Sequence, residues 1–301
     1  MKPLQLSSGD LLADRRADYA EMLFANGDHA AAAELMLGAL ELAPEWVLGW
    51  FRAGEMQEAA GALKAAAEAW RMALKLDPDD RAGARLKLEL IGRAPASSAP
   101  PAAFVEALFD QYAPTFDSSL VEKLKYRVPE LLSDAIARTG RVRFSQAIDV
   151  GCGTGLMGER LRPICDFLDG IDISAAMLKK AEARGVYDRL TKADLQTLEL
   201  RAGQADLITA ADVFLYVGAL EGIVVKVAAA LAPAGLFAFS VEENDNSEPF
   251  RLRESRRYAH TRAYLEQVLR NSDLALVSLD EAVLRQDRNA PVEGLVVLAS
   301  R

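Results

Sequence analysis

Ten residues near the middle of the chain, Ala147-Ile-Asp-Val-Gly-Cys-Gly-Thr-Gly-Leu156, constrain the fold more than any other stretch. An apolar run ends at Val150, glycines follow at 151, 153 and 155, and a helical pattern opens at Leu156. Glycine has no Cβ and accepts positive φ, so the backbone can turn tightly and a ligand can lie directly on it. Strand, glycine turn and helix in that order begin an open α/β sheet, which binds nucleotide-like ligands at the carboxyl ends of its strands. A dinucleotide fold places its third glycine three positions after the second. Position 156 is leucine, so that pattern fails and the glycines alternate as Gly-x-Gly-x-Gly.

The rest of this half supports an α/β reading. Residues 146–150, 167–171, 206–210 and 235–241 read as buried strands, and 156–162, 175–184 and 221–231 as the helices between them. Such alternation predicts a parallel sheet covered on both faces. Residues 274–285 and 292–299 read as a terminal hairpin, and 104–139 as helix broken near Pro114 and Pro129.

The N-terminal third is different. It is rich in Ala and Leu with helical periodicity, and Pro44 and Pro78 stand 34 residues apart. The same shift carries Ala20 onto Gly54, Gly27 onto Gly61, Ala32 onto Ala66 and Ala39 onto Ala73. Small residues thus recur where paired helices would touch, and proline recurs where the second helix ends. The pattern resembles tetratricopeptide repeats, with two copies and a closing helix over 79–91. Three prolines in 93–101 mark a linker. The expected division is a helical repeat domain over 1–92, the linker over 93–101 and the α/β domain over 102–301.

A net charge of −9 argues against nucleic acid as a partner. The two cysteines, Cys152 and Cys165, form no disulfide framework and suit a reducing compartment. No apolar run approaches the roughly 20 residues that span a bilayer, and the N-terminus shows no signal-peptide pattern. The expectation is a cytoplasmic protein with no membrane partner and no metal.

From about residue 104 onward the chain resembles the class I S-adenosylmethionine-dependent methyltransferases, through several motifs. The glycine loop resembles their first motif, and the implied fold is a Rossmann-like, mostly parallel seven-stranded sheet. The implied cofactor is S-adenosyl-L-methionine, leaving as S-adenosyl-L-homocysteine. The resemblance implies that Gly151, Cys152, Gly153 and Gly155 pack on the cofactor and that Asp149 holds its amino group. Asp172, in Leu168-Asp-Gly-Ile-Asp-Ile-Ser174, lies 23 residues beyond Asp149. Its two oxygens suit a ribose diol, with Asp169 the competitor and Ser174 a helix cap. Ile173 and Met177 would pack near adenine, with Asp194 and Leu195 on its edge. Ala211 and Asp212, in the segment ending Phe214-Leu-Tyr216, would sit beside the sulfonium.

Tyr112, Phe116 and Tyr126 would line a lid. Tyr216 and His260 are the candidate catalytic residues, with His260 placed at the start of a helix as a base toward the acceptor. Core packing for Tyr216 and a helix-start surface role for His260 are the structural alternatives. The whole arrangement resembles predicted bacterial methyltransferases with tetratricopeptide repeats. The expected reaction is methyl transfer to an O, N or C atom of a small-molecule acceptor. The alternatives are a protein or peptide methyltransferase whose repeats hold the target, and a non-catalytic interaction module that keeps the fold.

Overall fold

A computed structural model describes residues 6–118, 124–245, 247–287 and 290–301. Part of the expected helix over 104–139, at 119–123, lies outside the described residues. The chain divides into two compact units, Met1–Leu108 and Phe109–Arg301. The division falls inside α6 (Ala102–Tyr112).

The first unit is helical, with α1 (Leu11–Ala25), α2 (His29–Leu40), α3 (Val47–Ala59), α4 (Leu63–Leu76) and α5 (Ala84–Leu90). Asp10 caps α1, accepting from Leu12 N at 2.8 Å and Ala13 N at 2.9 Å. The turns after α1 and α3 contain Gly27 and Gly61, both left-handed at φ +85° and +78°. Small residues sit where large ones press. A Cβ on Gly54 would stand 2.3 Å from the indole nitrogen of Trp70. That indole is fully buried and donates to Phe51 O at 3.1 Å. The closing helix is shorter than expected because Asp80 turns left-handed at φ +56°. Its carboxylate accepts from Ala84 N at 2.6 Å and Arg85 N at 3.0 Å, which starts α5 there.

The second unit is built on β1 (Phe144–Val150), β2 (Cys165–Asp172), β3 (Arg189–Lys192), β4 (Ala205–Ala210) and β5 (Leu231–Glu243). After these come β6 (Phe250–Leu252), β7 (Tyr258–His260), β8 (Ala275–Asp287) and β9 (Ala290–Ser300). Neighbouring strands run β3-β2-β1-β4-β5, all parallel, and β9 then pairs antiparallel with both β5 and β8. That path accounts for seven strands. The described sheet has nine, because β6 and β7 add an antiparallel hairpin.

Alternation along the strands assigns the two faces. Ala147 and Leu207 point into one core with Leu132 of α7 (Val128–Ala137) and Leu161 of α8 (Leu156–Leu161). Ile148 and Ile208 point into the other, with Val224 of α10 (Glu221–Ala230) and Leu269 of α11 (Arg262–Asn271). Truncating a fully buried Ile or Leu here to Ala costs about 2–5 kcal/mol.

The hairpin's position matters most for function. β4 accompanies β5 as far as Ala210 opposite Phe239. β7 takes up pairing with β5 at Glu242 and Glu243, while β9 holds the other edge of β5 as far as Glu242. The hairpin therefore stands beyond the carboxyl end of β4, where an open sheet holds its ligands.

Candidate active site

The glycine loop leaves β1 with left-handed φ at Gly151 (+66°), Gly153 (+53°) and Gly155 (+96°). Cys152 continues the strand pairing, its N–H donating to Ile171 O at 2.9 Å, and its thiol is buried. Burial pushes that thiol's pKa far up, so it is no nucleophile. Asp172, at the end of β2, accepts from Gly153 N and from Ser174 N, both at 2.8 Å. Loop and carboxylate thus face each other. Ser174 caps α9 (Ala175–Arg184), accepting from Met177 N at 3.0 Å. Asp169 is claimed instead by Arg189, at 2.6 and 2.7 Å.

Asp149 is fully buried. Its oxygens accept from Tyr187 Oη at 2.7 Å and Thr209 Oγ1 at 2.9 Å. Burial raises its pKa to about 7, against those two hydrogen bonds. Tyr187 reaches Asp149 through a slot lined by glycines. A Cβ on Gly158 would meet its oxygen at 2.3 Å, and one on Gly170 would meet its ring at 2.9 Å.

Aromatic residues cover the loop. Phe116 lies 3.8 Å from the Cβ position of Gly153, which is otherwise open. Phe116 packs on Phe109 (centroids 6.1 Å apart), and Phe109 packs edge-on against Tyr216 at 5.2 Å. The segment is latched at both ends. Asp110 accepts from Ser174 Oγ at 2.6 Å, and Asp117 pairs with Arg184 and accepts from Thr154 Oγ1.

Beyond β4, Asp212 holds a left-handed φ of +59°, its N–H donating to Ser240 Oγ at 3.0 Å. Its neighbour Val213 presses on the loop, 2.5 Å from where a Cβ on Gly151 would be. Arg285, from β8 and only 1% exposed, chelates Asp212 at 2.8 and 2.9 Å and pairs with buried Glu242. Arg253 reaches Glu242 at 3.2 Å, and Arg257 stands 4.0 Å from it while bonding the Tyr216 hydroxyl. Tyr126 lies beside Asp212, Arg285 and Asp149, and burial raises its phenol pKa. The contacts close a ring, from Gly151 through Val213, Asp212, Arg285, Glu242, Arg257, Tyr216, Phe109 and Phe116 back to Gly153.

Several expectations need correction. His260 does not open a helix. It ends β7, and Thr261 caps α11 by accepting from Tyr264 N at 3.2 Å. Its imidazole is fully buried, with Nε2 2.9 Å from the carbonyls of both Val217 and Gly218, so it is no surface residue either. Burial lowers its pKa to about 4. Tyr112 is half exposed rather than folded over the loop, and Met177 is covered by protein. Ile173 is partly buried beside Asp172. Asp194 and Leu195 sit in a partly buried turn closed by Asp194 Oδ1 on Gln196 N at 3.0 Å, and Ala211 is partly buried beside Asp212. Tyr187, Phe109, Glu242, Arg257 and Arg285 had not been anticipated.

Comparison with known proteins agrees with this geometry. Residues 148–239 match the family described as a methyltransferase domain. Human methyltransferase-like protein 27 is 36% identical over 116 residues, which is 38% of this chain and 45% of that protein. Malonyl-[acyl-carrier protein] O-methyltransferase of Enterobacter lignolyticus is 28% identical over 142 residues, 47% and 55% of the two chains. The 18S rRNA (guanine-N(7))-methyltransferase RID2 of Arabidopsis thaliana is 41% identical over 114 residues, 36% and 37%. The chain spans about half the length, or less, of these curated relatives. The methyltransferase in a Haloferax volcanii complex with its Trm112 activator shares the fold at TM-score 0.54 and 16% identity, covering 64% of this chain and 96% of that one.

Fold, loop and family match define an α/β domain of the S-adenosylmethionine-dependent methyltransferase type. Residues 148–239 of this chain, which match the methyltransferase-domain family, run from β1 to β5 of that sheet. The names of two of these relatives give different targets, a malonyl-[acyl-carrier protein] for one and a guanine of 18S rRNA for the other.

Proposed function

We propose that the protein transfers a methyl group from S-adenosylmethionine to an O, N or C atom of a small molecule. The observation that carries this reading is the pairing of Asp172 with Gly153 N across an otherwise open glycine backbone, beneath Phe116. Such a cradle fits a nucleoside. The carboxylate accepts two ribose hydroxyls, the bare loop lies along the ribose and methionine parts, and Asp149 takes the amino group. Asp194 and the Leu195 amide serve the adenine edge, and Ala211 and Asp212 flank the sulfur. The cofactor supplies an electrophilic methyl on a sulfonium. The chain's own part is to hold donor and acceptor in line and to keep water out, which positioning alone makes effective.

The first unit is read as two tetratricopeptide-like repeats, supported by the left-handed turns at Gly27 and Gly61 one period apart. Repeat surfaces of this kind hold peptides, so a protein partner belongs to the same proposal. No helix among the described residues is long and apolar enough to cross a membrane. Composition supports a cytoplasmic location.

Calorimetry with S-adenosylmethionine and S-adenosylhomocysteine tests the reading. The wild type is expected to bind both. Asp172→Ala should weaken binding by about 1–3 kcal/mol, since it strands hydroxyl donors in a covered site. Gly153→Val should abolish binding while the circular dichroism spectrum stays unchanged. A wild type that binds neither compound sinks the proposal.

A further inference from the structure

The charges clustered beyond β4 do not balance. Arg253, Arg257 and Arg285 gather around Asp212 and Glu242, so one positive charge is left over. The surplus can be located. Arg285 takes Asp212 through two hydrogen bonds and also pairs with Glu242, and Arg253 takes the second oxygen of Glu242. Arg257 stands 4.0 Å from Glu242, beyond hydrogen-bond distance, and its other partner is the neutral Tyr216 hydroxyl. Among the described residues no carboxylate comes within hydrogen-bond distance of Arg257. Its backbone is fixed, since the turn between β6 and β7 closes with Arg253 N on Arg257 O at 2.8 Å. A half-covered guanidinium, rigidly presented with unused donors, matches a planar anion.

The chemistry of the same ring points the same way. Each carboxylate in it is tied to a guanidinium, Tyr216 is engaged by Arg257, and His260 is sealed against two carbonyls. An alcohol or ammonium acceptor must lose a proton, and this ring holds no open base to take one. A carboxylate is already ionised at neutral pH.

We propose that the methyl acceptor is a carboxylate, held through one oxygen by Arg257 and methylated on the other. This rests on the methyl-transfer reading above. The free carboxylate oxygen forms a bond to the methyl carbon as the carbon–sulfur bond breaks, and that electron pair passes to sulfur. Anion and sulfonium become a neutral methyl ester and a neutral thioether, with no proton released and no oxidant or further reactant needed.

The test begins with binding to the wild-type full chain saturated with S-adenosylhomocysteine. Aliphatic and aromatic mono- and dicarboxylic acids are titrated by calorimetry beside their own amides. At least one acid should bind about tenfold more tightly than its amide, and added salt should weaken it. The same acids and a Glu-containing peptide are then offered with S-adenosylmethionine, scoring base-labile methyl ester. Ester on a free acid or on the peptide supports the proposal and tells the two sources apart. Arg257→Gln should raise KM for that acceptor about tenfold or more, with cofactor affinity held within about twofold, and Arg257→Lys should recover part of the loss. If S-adenosylhomocysteine binds but no acid outcompetes its amide, or if methyl appears only on amines, phenols or carbon, the carboxylate assignment is overturned alone. If S-adenosylhomocysteine does not bind, the methyl-transfer reading falls and takes this one with it.

Discussion

Asp149 is a residue on which pH should act. Its pKa rises from about 4 in the unfolded chain to about 7 in the fold because burial penalises its charge. The folded state therefore holds the proton where the unfolded state has lost it. Stability is greatest below the unfolded pKa and falls as pH rises through about 7. We expect urea unfolding at a series of pH values to show this decline, on the order of 2–4 kcal/mol. Asp149→Asn should remove most of it, and an unchanged slope in that variant would contradict the assignment. The strand positions of Asp149 and Asp172 were legible from sequence, because Asp149 lies just before the glycines at the end of one apolar run and Asp172 closes the next. Tyr187 was not, since nothing local marks a tyrosine whose oxygen threads between Gly158 and Gly170. Arg285 was hidden for a related reason. An arginine in a strand reads as an edge residue until the β5-β9-β8 pairing brings it to Glu242.

At the level of elements, the long strands and the helices between them were readable, because each carries enough apolar residues to show a period. Arg189–Lys192 contains a single apolar side chain, and β6 and β7 have three residues each, too few to show one. Missing that hairpin displaced His260 onto the following helix. In β7 it is a structural residue, pinning the 217–218 backbone to the sheet. His260→Ala should lower stability by about 1–3 kcal/mol, the cost of leaving buried carbonyls without a partner. Turnover, adjusted for the folded fraction, should show no step near pH 6.5. Because burial lowers its pKa to about 4, its contribution is complete above about 6.5 and is lost as pH falls through 4. A 10²–10⁴-fold drop in turnover at wild-type stability would restore the general-base role.

For the whole molecule, the two units carry separate cores. The helical clusters end at Ala94, and the sheet clusters begin at Tyr126. The Pro-rich stretch between them was the clearest architectural mark in the sequence, although the compact units divide further on, inside α6. A chain beginning at Ala102, which keeps α6 whole, should fold and bind S-adenosylhomocysteine with the full-length affinity. Aggregation, or a large loss of affinity, would mean that the helical unit is needed for the site. Trp70, sealed against Gly54, adds an optical consequence. It and the other two tryptophans, Trp46 and Trp50, all belong to Met1–Leu108. Indole emission from the intact protein is therefore a private channel for the helical unit. A melt followed by that glow should stay in place when S-adenosylhomocysteine is added, while the calorimetric transition of the sheet unit moves upward.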